Sequence, residues 1–258
     1  MKFPCHRLLP VVLVGLGICA FAGNASAYVR TVTSQGKPVF WDTDCIQFFV
    51  NSRGCADIQD GSEFVAANLS MDTWNNVDCS FFRMYYAGKT DSDYVGFDEA
   101  SSNNQNLIIW QSEPGSWTHP SKVLALTSII LESNTGRIVD TDIELNDEEF
   151  TFSTSNTDVQ IDIQNTITHE LGHVVGLDHS PIHDSTMYSH APTGETKKRT
   201  LSSDDIEGVC AIYPIDDPSI HPDPNTGCQT GASPAADFSL VVLVFFLAGV
   251  AIFRWIRP

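Results

Sequence analysis

The decisive stretch of this sequence is residues 169–179, which read His-Glu-Leu-Gly-His-Val-Val-Gly-Leu-Asp-His. His169 and His173 are four residues apart, so on a helix both imidazoles project from one face, a spacing that suits two ligands of one tetrahedral zinc ion. Glu170 follows the first histidine and points in another direction, where it can reach a water bound to the metal and act as a general base. The stretch therefore predicts a helix that carries two metal ligands and a catalytic carboxylate.

Gly176 and His179 extend this pattern beyond the helix. Gly176 lies three residues after His173, and a glycine there can adopt a left-handed conformation that ends the helix and turns the chain back. The turn brings His179 round as a third ligand. Three protein ligands leave one coordination position open for water, which is typical of a catalytic zinc site and not of a structural one. We therefore expect one zinc ion held by His169, His173 and His179.

The remaining pattern predicts an α+β domain. Apolar residues recur at helical spacing over residues 64–77, 162–176 and 202–213. Runs of β-branched and aromatic residues predict strands over residues 38–50, 79–86, 106–110, 123–130 and 137–145. Strands and helices do not alternate regularly along the chain, and this favours an α+β architecture over a series of βαβ units.

Residues 169–179 match the zinc signature of the metzincins, His-Glu-x-x-His-x-x-Gly-x-x-His. Ser180, directly after the third histidine, makes the stretch similar to the matrixin branch, the matrix-metalloprotease-like peptidases. Met187 lies where matrixins keep the methionine of their Met-turn, which forms an apolar floor beneath the metal. Residues 201–214 resemble the C-terminal helix of matrixins. Residues 136–146 resemble the strand and turn that precede the zinc helix in bacterial members of the family.

The resemblance implies both the fold and the position of a substrate cleft. It implies a twisted, mostly parallel sheet with an antiparallel edge strand, a long zinc-binding helix, and a small C-terminal subdomain with the Met-turn and a final helix. The edge strand would bind an extended substrate by strand addition, through Leu124, Ala125 and Leu126. Tyr188 would form part of one wall of the pocket beside the metal.

The activity that these residues imply is hydrolysis of peptide bonds in extracellular proteins. Glu170 would take a proton from the metal-activated water during its attack on the carbonyl and would later deliver it to the leaving amine. The alternative is a surface adhesin or binding module that keeps the zinc ion but cleaves weakly. The intact Glu170 argues for the enzyme, because loss of that base is the usual sequence sign of an inactive relative.

The composition is acidic, with a formal net charge of −18. Such a charge argues against nucleic acid as a partner. We expect a monomeric domain whose partner is a protein or peptide substrate. Asp140, Asp142 and Glu144 alternate along a predicted strand. Their side chains therefore face either a calcium ion or solvent.

Four cysteines lie within the predicted domain, namely Cys45, Cys55, Cys79 and Cys210. Disulfides are chemically reasonable in an exported protein, and four cysteines permit three pairings. We expect the pairs Cys45–Cys55 and Cys79–Cys210.

Both ends of the chain have the pattern of addressing segments. Residues 1–27 combine a basic start, an apolar run and Ala-Ser-Ala, and they predict a cleaved signal peptide, with a retained membrane anchor as the alternative. Residues 28–214 form the predicted matrixin-like catalytic domain, and residues 215–237 form a proline-rich linker. Residues 238–258 contain an apolar run followed by arginines, which predicts a hydrophobic helix that anchors the protein in a membrane.

The tail also resembles a C-terminal sorting signal. Gly227-Cys228, a short spacer, the apolar run and the terminal arginines are similar to the signals of myxobacterial surface proteins. In such signals the region of the cysteine is processed for surface attachment, whereas a simple anchor remains in place. Both interpretations predict an exported protein that is attached to the cell surface or membrane, or released to the extracellular space.

Overall fold

The computed structural model describes residues 27–215 and 240–250. Its strands are β1 (Val29–Arg30), β2 (Cys45–Asn51), β3 (Arg83–Thr90), β4 (Asn106–Trp110), β5 (Val123–Glu132), β6 (Ile138–Leu145), β7 (Phe152–Ser153), β8 (Ile161–Asp162), β9 (Leu177–Asp178), β10 (His190–Pro192) and β11 (Leu240–Val250). Its helices are α1 (Ser62–Asn75), α2 (Ile163–Val174) and α3 (Ser203–Ile212), with a 3-10 turn at Lys197–Arg199. The predicted α+β class is confirmed.

The main sheet has the strand order β10-β11-β5-β6-β4-β2-β3. The neighbours β3, β2, β4 and β6 are mutually parallel, and β5 joins β6 in the antiparallel direction. The predicted mostly parallel sheet with one antiparallel strand beside it is therefore present. Two short pairs, β1 with β9 and β7 with β8, lie outside this sheet.

The central strands β4 and β6 are buried throughout, although β6 carries polar side chains as well as apolar ones. Burial of every residue is expected of strands in a sheet that has no solvent face. Helices α1 and α2 pack against each other beside the sheet. Trp74 of α1 is fully buried, and its indole nitrogen donates a hydrogen bond to the Thr168 carbonyl of α2 at 2.9 Å. This bond fixes the two helices in register.

Two predicted strands have different bounds in the structure. The strand predicted over residues 38–50 begins only at Cys45, because the chain bends at residues 42–44, where the Thr43 hydroxyl accepts a hydrogen bond from the Cys45 amide. The strand predicted over residues 79–86 begins at Arg83, because the residues before it pair with the chain that follows α3. The Phe81 amide, for example, donates to the Tyr213 carbonyl at 3.1 Å.

The C-terminal apolar run is not helical where the structure describes it. Leu240–Val250 forms β11, and this corrects the prediction of a hydrophobic helix for that part of the tail. Its valines and phenylalanines favour extended backbone, and the open edge of β5 supplies hydrogen-bonding partners for it. Among residues 27–215 and 240–250, no helix is both long and apolar enough to cross a bilayer. Residues 1–26, 216–239 and 251–258 lie outside the described part, and with them most of the predicted signal peptide, most of the predicted linker, and Gly227-Cys228 of the predicted sorting signal.

One of the two expected disulfides is present and the other is wrong. Cys79 and Cys210 are bonded, with 5.4 Å between their Cα atoms, and the bond ties the end of α3 to the segment before β3. Cys55 is a buried free thiol, whereas Cys45 is disulfide-bonded, so these two are not paired with each other. The thiol of Cys55 instead donates a hydrogen bond to the Asp147 carboxylate.

Removing the Cys79–Cys210 bond should lower stability substantially. The bond closes a loop with a sequence separation of 131, for which chain entropy predicts a contribution of about 4–5 kcal/mol. The double variant Cys79→Ser with Cys210→Ser should therefore lose several kcal/mol of unfolding free energy in urea titrations at 25 °C. Coincident unfolding curves for the variant and the parent would contradict this assignment.

Candidate active site

Helix α2 carries the first half of the site and is buried along almost its whole length. Its N-terminus is capped by Asp162, whose carboxylate accepts a hydrogen bond from the Asn165 amide at 2.7 Å. The guanidinium of Arg199 forms an ion pair with the same carboxylate. The cap and the ion pair fix the start of the helix, so the side chains one to three turns later are held in position.

His169 and His173 project from one face of α2, as predicted, and both side chains are fully buried. The Nδ1 of His169 lies 2.6 Å from the Thr186 carbonyl oxygen, and the Nδ1 of His173 lies 2.8 Å from the Leu177 carbonyl oxygen. Each Nδ1 therefore carries the proton, since a carbonyl can only accept. Nε2 is then the unprotonated nitrogen of each ring, which is the arrangement that a metal-binding histidine requires.

His179 reaches the same point from the chain that follows the helix. Gly176 has a φ of +97°, and a Cβ at this position would lie 2.8 Å from the Val39 carbonyl oxygen, so the turn requires glycine. The Nε2 atoms of His169 and His179 are 3.3 Å apart, and the ligand atoms of the three histidines all lie within 4.8 Å of one another. The structure thus brings together all three predicted metal ligands.

The electrostatics of the three histidines suit a cation. Burial lowers the pKa of His169 and of His173 well below the usual value for imidazole, and burial also lowers the pKa of His179. The rings are therefore neutral at pH 7, as metal ligands must be. The Nε2 of His173 is buried and has no hydrogen-bond partner, a vacancy in its bonding that a metal ion would fill.

Glu170 is fully buried beside the histidines, and its two carboxylate oxygens differ. Oε2 accepts a hydrogen bond of 2.6 Å from the Thr127 hydroxyl of β5, whereas Oε1 is buried without any hydrogen-bond partner. Burial raises the pKa of Glu170 to about 8, although the Thr127 hydrogen bond opposes the shift. A carboxylate with one oxygen fixed and the other free is suited to exchange a proton with a bound water.

Met187 lies where the sequence predicts the Met-turn and packs directly against α2. A Cβ added at Gly172 would lie 2.0 Å from the Met187 sulfur, so only glycine permits this approach. The turn itself is held by Asp205 in the first turn of α3, whose carboxylate accepts hydrogen bonds from the Thr186 and Met187 amides. Helix α3 therefore supports the floor of the site as well as closing the fold.

The segment after the Met-turn is held by a buried lysine. Lys198 is fully buried, and its ammonium donates to the carbonyls of Tyr188 and His190 at 2.6 and 2.7 Å, with the Glu195 carboxylate 3.5 Å away. Burial lowers the pKa of Lys198 to about 8, while Glu195 opposes the shift. Tyr188 is half-buried in this segment, on the side of the site where the sequence places a pocket wall.

Leu124, Ala125 and Leu126 lie in β5, as predicted, but all three are fully buried. Their strand is not an open edge in this structure, because β11 pairs along its outer side. The strand predicted to bind substrate is thus present, but its outer edge is paired with β11.

Three residues that support the site have no clear signal in the sequence. Thr127 lies in an apolar strand, Asp205 follows a helix cap as an ordinary acid, and Lys198 belongs to a short basic run. Each of them contacts the site through residues distant in the chain, so only the tertiary structure identifies it. For Asp205, the one signal in the sequence is the capping pattern Ser202-x-x-Asp205, which predicts a helix start but not a contact with the Met-turn.

The carboxylates of β6 do not form a solvated face. Asp140 and Asp142 are fully buried and Glu144 is nearly so, which rules out the solvent-facing alternative. The Asp142 carboxylate accepts hydrogen bonds from the Gly96 and Leu107 amides, whereas neither oxygen of Asp140 has a partner. Burial raises the pKa of Asp140 to about 8, so this carboxyl requires either a proton or a cation.

Three convergent imidazoles can act as the ligands of a catalytic zinc ion, and the neighbouring carboxylate lies where a general base is needed. The matrixin family model matches residues 63–214, which is more than half of the chain and includes the whole site. The chain belongs to the matrixin family.

Curated relatives match over shorter stretches. The chain is 40% identical over 53 residues to metalloendoproteinase 2-MMP of Arabidopsis thaliana, which is 20% of this chain and 14% of the relative. It is 35% identical over 68 residues to human neutrophil collagenase, which is 26% of this chain and 15% of the relative. It is also 35% identical over 60 residues to human matrilysin, 23% of this chain and 22% of that protein. The matched part thus spans less than a quarter of each relative.

The close contact between Gly172 and Met187 predicts an unusual response to alanine. Gly172→Ala should gain about 1 kcal/mol of helix propensity but lose more through overpacking against the methionine, for a net loss of stability of about 1–2 kcal/mol. Thermal unfolding of the metal-free protein would measure this. In a Met187→Ala background the same substitution should cost less, because the sulfur is gone. An equal cost in both backgrounds would show that this contact is not the cause.

Proposed function

We propose that this chain is a zinc-dependent endopeptidase. The observation that carries the proposal is the convergence of three neutral imidazoles beside a buried carboxylate whose Oε1 lacks a partner. His169, His173 and His179 would hold the ion, and three ligands leave a coordination position for water. Membership of the matrixin family supports the same activity.

The residues of the site divide the chemistry among them. A bound zinc ion would lower the pKa of a coordinated water and polarise the peptide carbonyl. Glu170 would accept the proton of the attacking water on Oε1 and then deliver it to the leaving amine. Thr127 would keep the carboxylate in one orientation through its bond to Oε2, and Met187 would exclude water from beneath the metal ligands.

The substrate would bind as an extended strand between β5 and β10. The β5 backbone can accept an antiparallel neighbour over its whole length, as its pairing with β11 demonstrates. A peptide in this position adds one strand to the sheet and passes across the face of α2 that carries the histidines. Leu124, Ala125 and Leu126 would supply backbone hydrogen bonds to it, and Tyr188 would border the pocket.

Several finer features belong to this proposal. We propose that residues 1–27 direct export, that residues 28–214 are the catalytic domain, and that the protein acts outside the cell as a monomer. A calcium ion at Asp140 would explain why that carboxylate is buried without a partner. A bacterial origin and a processed sorting tail after the linker 215–237 remain predictions of the sequence.

Loss of the general base should abolish activity without loss of the metal. Glu170→Ala in the full chain should lower the rate of casein cleavage by about 10²- to 10⁴-fold and keep about one zinc per chain by metal analysis. A chelator should inactivate the parent, and added zinc should restore it. Equal rates for variant and parent would refute the peptidase and favour the weakly cleaving adhesin.

Thr127→Val should weaken catalysis through the orientation of Glu170. The substitution keeps the shape of the side chain but removes a hydrogen bond to a carboxylate, worth about 1.5–3 kcal/mol, so kcat should fall roughly 10-fold or more while KM and zinc content change little. Thr141→Val is the matched control, because the buried Thr141 hydroxyl has no hydrogen-bond partner. Equal effects of the two substitutions would mean that the hydroxyl of Thr127 has no positioning role.

A further inference from the structure

The strand β11 occupies the place where the proposed substrate would bind. It pairs antiparallel with β5 from Leu240 opposite Glu132 to Ala248 opposite Val123. On its other side it pairs in parallel with β10, from His190 opposite Ala248 to Pro192 opposite Val250. The backbone of β11 thus fills a groove between two strands, which we call the strand-binding groove.

The side chains of β11 alternate between the site and solvent. Val242, Val244 and Phe246 are exposed, with relative exposures of 57%, 41% and 38%. Leu243 and Phe245 are half-buried and Leu247 is fully buried, so these three face inward. The strand is apolar on both faces, but only one face packs against the protein, as expected of a strand added to the edge of a sheet.

The inward face lies directly on the catalytic residues. The Phe245 ring stacks on the His173 ring, with 4.4 Å between centroids and 14° between planes. Phe245 is also opposite Thr127 in the register, and Thr127 is the residue that binds the Glu170 carboxylate. A peptide cannot follow the outer edge of β5 across this point while β11 remains in place.

We propose that residues 240–250 are an intramolecular inhibitor that occupies the strand-binding groove and excludes extended peptides. The binding part of this inference depends only on the contacts of β11, whereas its effect on proteolysis rests on the proposed function. The kind of ligand that the groove accepts follows from β11 itself, namely an extended, uncharged segment with bulky apolar side chains at alternate positions.

The connection within one chain makes this inhibition effective. Residues 216–239 connect the domain to β11 along the chain, and a covalent tether can hold a segment at an effective concentration on the order of 1 mM. A segment with an intrinsic dissociation constant of about 10 µM would then leave roughly 1% of the molecules with an open groove. Removal or displacement of the tail would activate the enzyme without any change in the catalytic residues.

The test compares two double variants of the full chain. Phe245→Asp with Leu247→Asp places charges on the inward face, where burial opposes them, and should release the groove. Val242→Asp with Val244→Asp is the matched control, because it introduces the same residues on the exposed face and lowers strand propensity equally. With a fluorogenic peptide and bound zinc, kcat/KM should rise at least 10-fold in the inward variant and stay near the parent value in the control.

Hydrogen exchange of the β5 amides tests occupancy without any need for activity. The β5 amides that face β11 should be protected in the parent and in the Val242→Asp, Val244→Asp control. They should exchange faster in the Phe245→Asp, Leu247→Asp variant. The same differences should appear when Glu170→Ala is added to each chain. If the β5 amides are protected as expected but no variant cleaves peptides, the proposed function is overturned, whereas the binding of residues 240–250 in the groove still holds. Fast exchange of these amides in the parent would overturn the inhibitor proposal, whether or not the enzyme is active.

The membrane is the competing partner for the same segment, and the exchange experiment includes it. Phosphatidylcholine vesicles added to the parent chain should leave the protection of β5 unchanged if the groove is the preferred partner. Loss of that protection, together with co-sedimentation of the chain with vesicles, would overturn the proposal and favour the anchor that the sequence predicts.

Discussion

The burial of α2 beneath the sheet is the constraint on which the rest of the site depends. Because His169 and His173 are removed from water, their rings stay neutral and must satisfy each Nδ1 proton with a backbone carbonyl. Those carbonyls belong to the Met-turn and to the turn after the helix, so the same two hydrogen bonds set the orientation of the rings and the path of the following chain. Burial also leaves Glu170 with one unpartnered oxygen. Unsatisfied groups of this kind are costly in a folded core, and their clustering at one point is what indicates a functional centre.

The support for this centre comes from parts of the chain that contain neither the three histidines nor Glu170. Asp205 in α3 holds the Met-turn, and Lys198 holds the segment that follows it, each through bonds to backbone atoms. Backbone anchoring of this type fixes the shape of a wall without dictating its exposed side chains. The disulfide between Cys79 and Cys210 fixes the far end of α3, so the helix that supports the floor is itself tethered.

The groove between β5 and β10 gives the C-terminal segment a partner within the protein. An apolar run without charges satisfies equally the requirements of a bilayer helix and of a strand that is covered on one face. What favours the strand here is the row of unpaired backbone groups along β5, which would otherwise face solvent as an open edge. The alternation of buried and exposed side chains in β11 follows from that pairing and not from any alternation in the sequence itself. Under the proposed function a substrate would need the groove that β11 occupies, so the two would compete for it.

The sequence by itself predicted the helix with its two histidines, the third histidine after Gly176 and the neighbouring Glu170, because these depend on local spacing. The resemblance to the matrixins added the position of Met187 and the mostly parallel sheet, neither of which local spacing determines. The sequence also predicted the Cys79–Cys210 pair. The tertiary structure decided what depends on contacts between distant residues: the free thiol of Cys55, the late start of β2 and β3, the burial of the β6 carboxylates, and the roles of Thr127, Asp205 and Lys198. It also decided the conformation of residues 240–250. Local propensity could not fix that conformation, since a uniformly apolar segment becomes a helix or a strand according to the partner that satisfies its backbone.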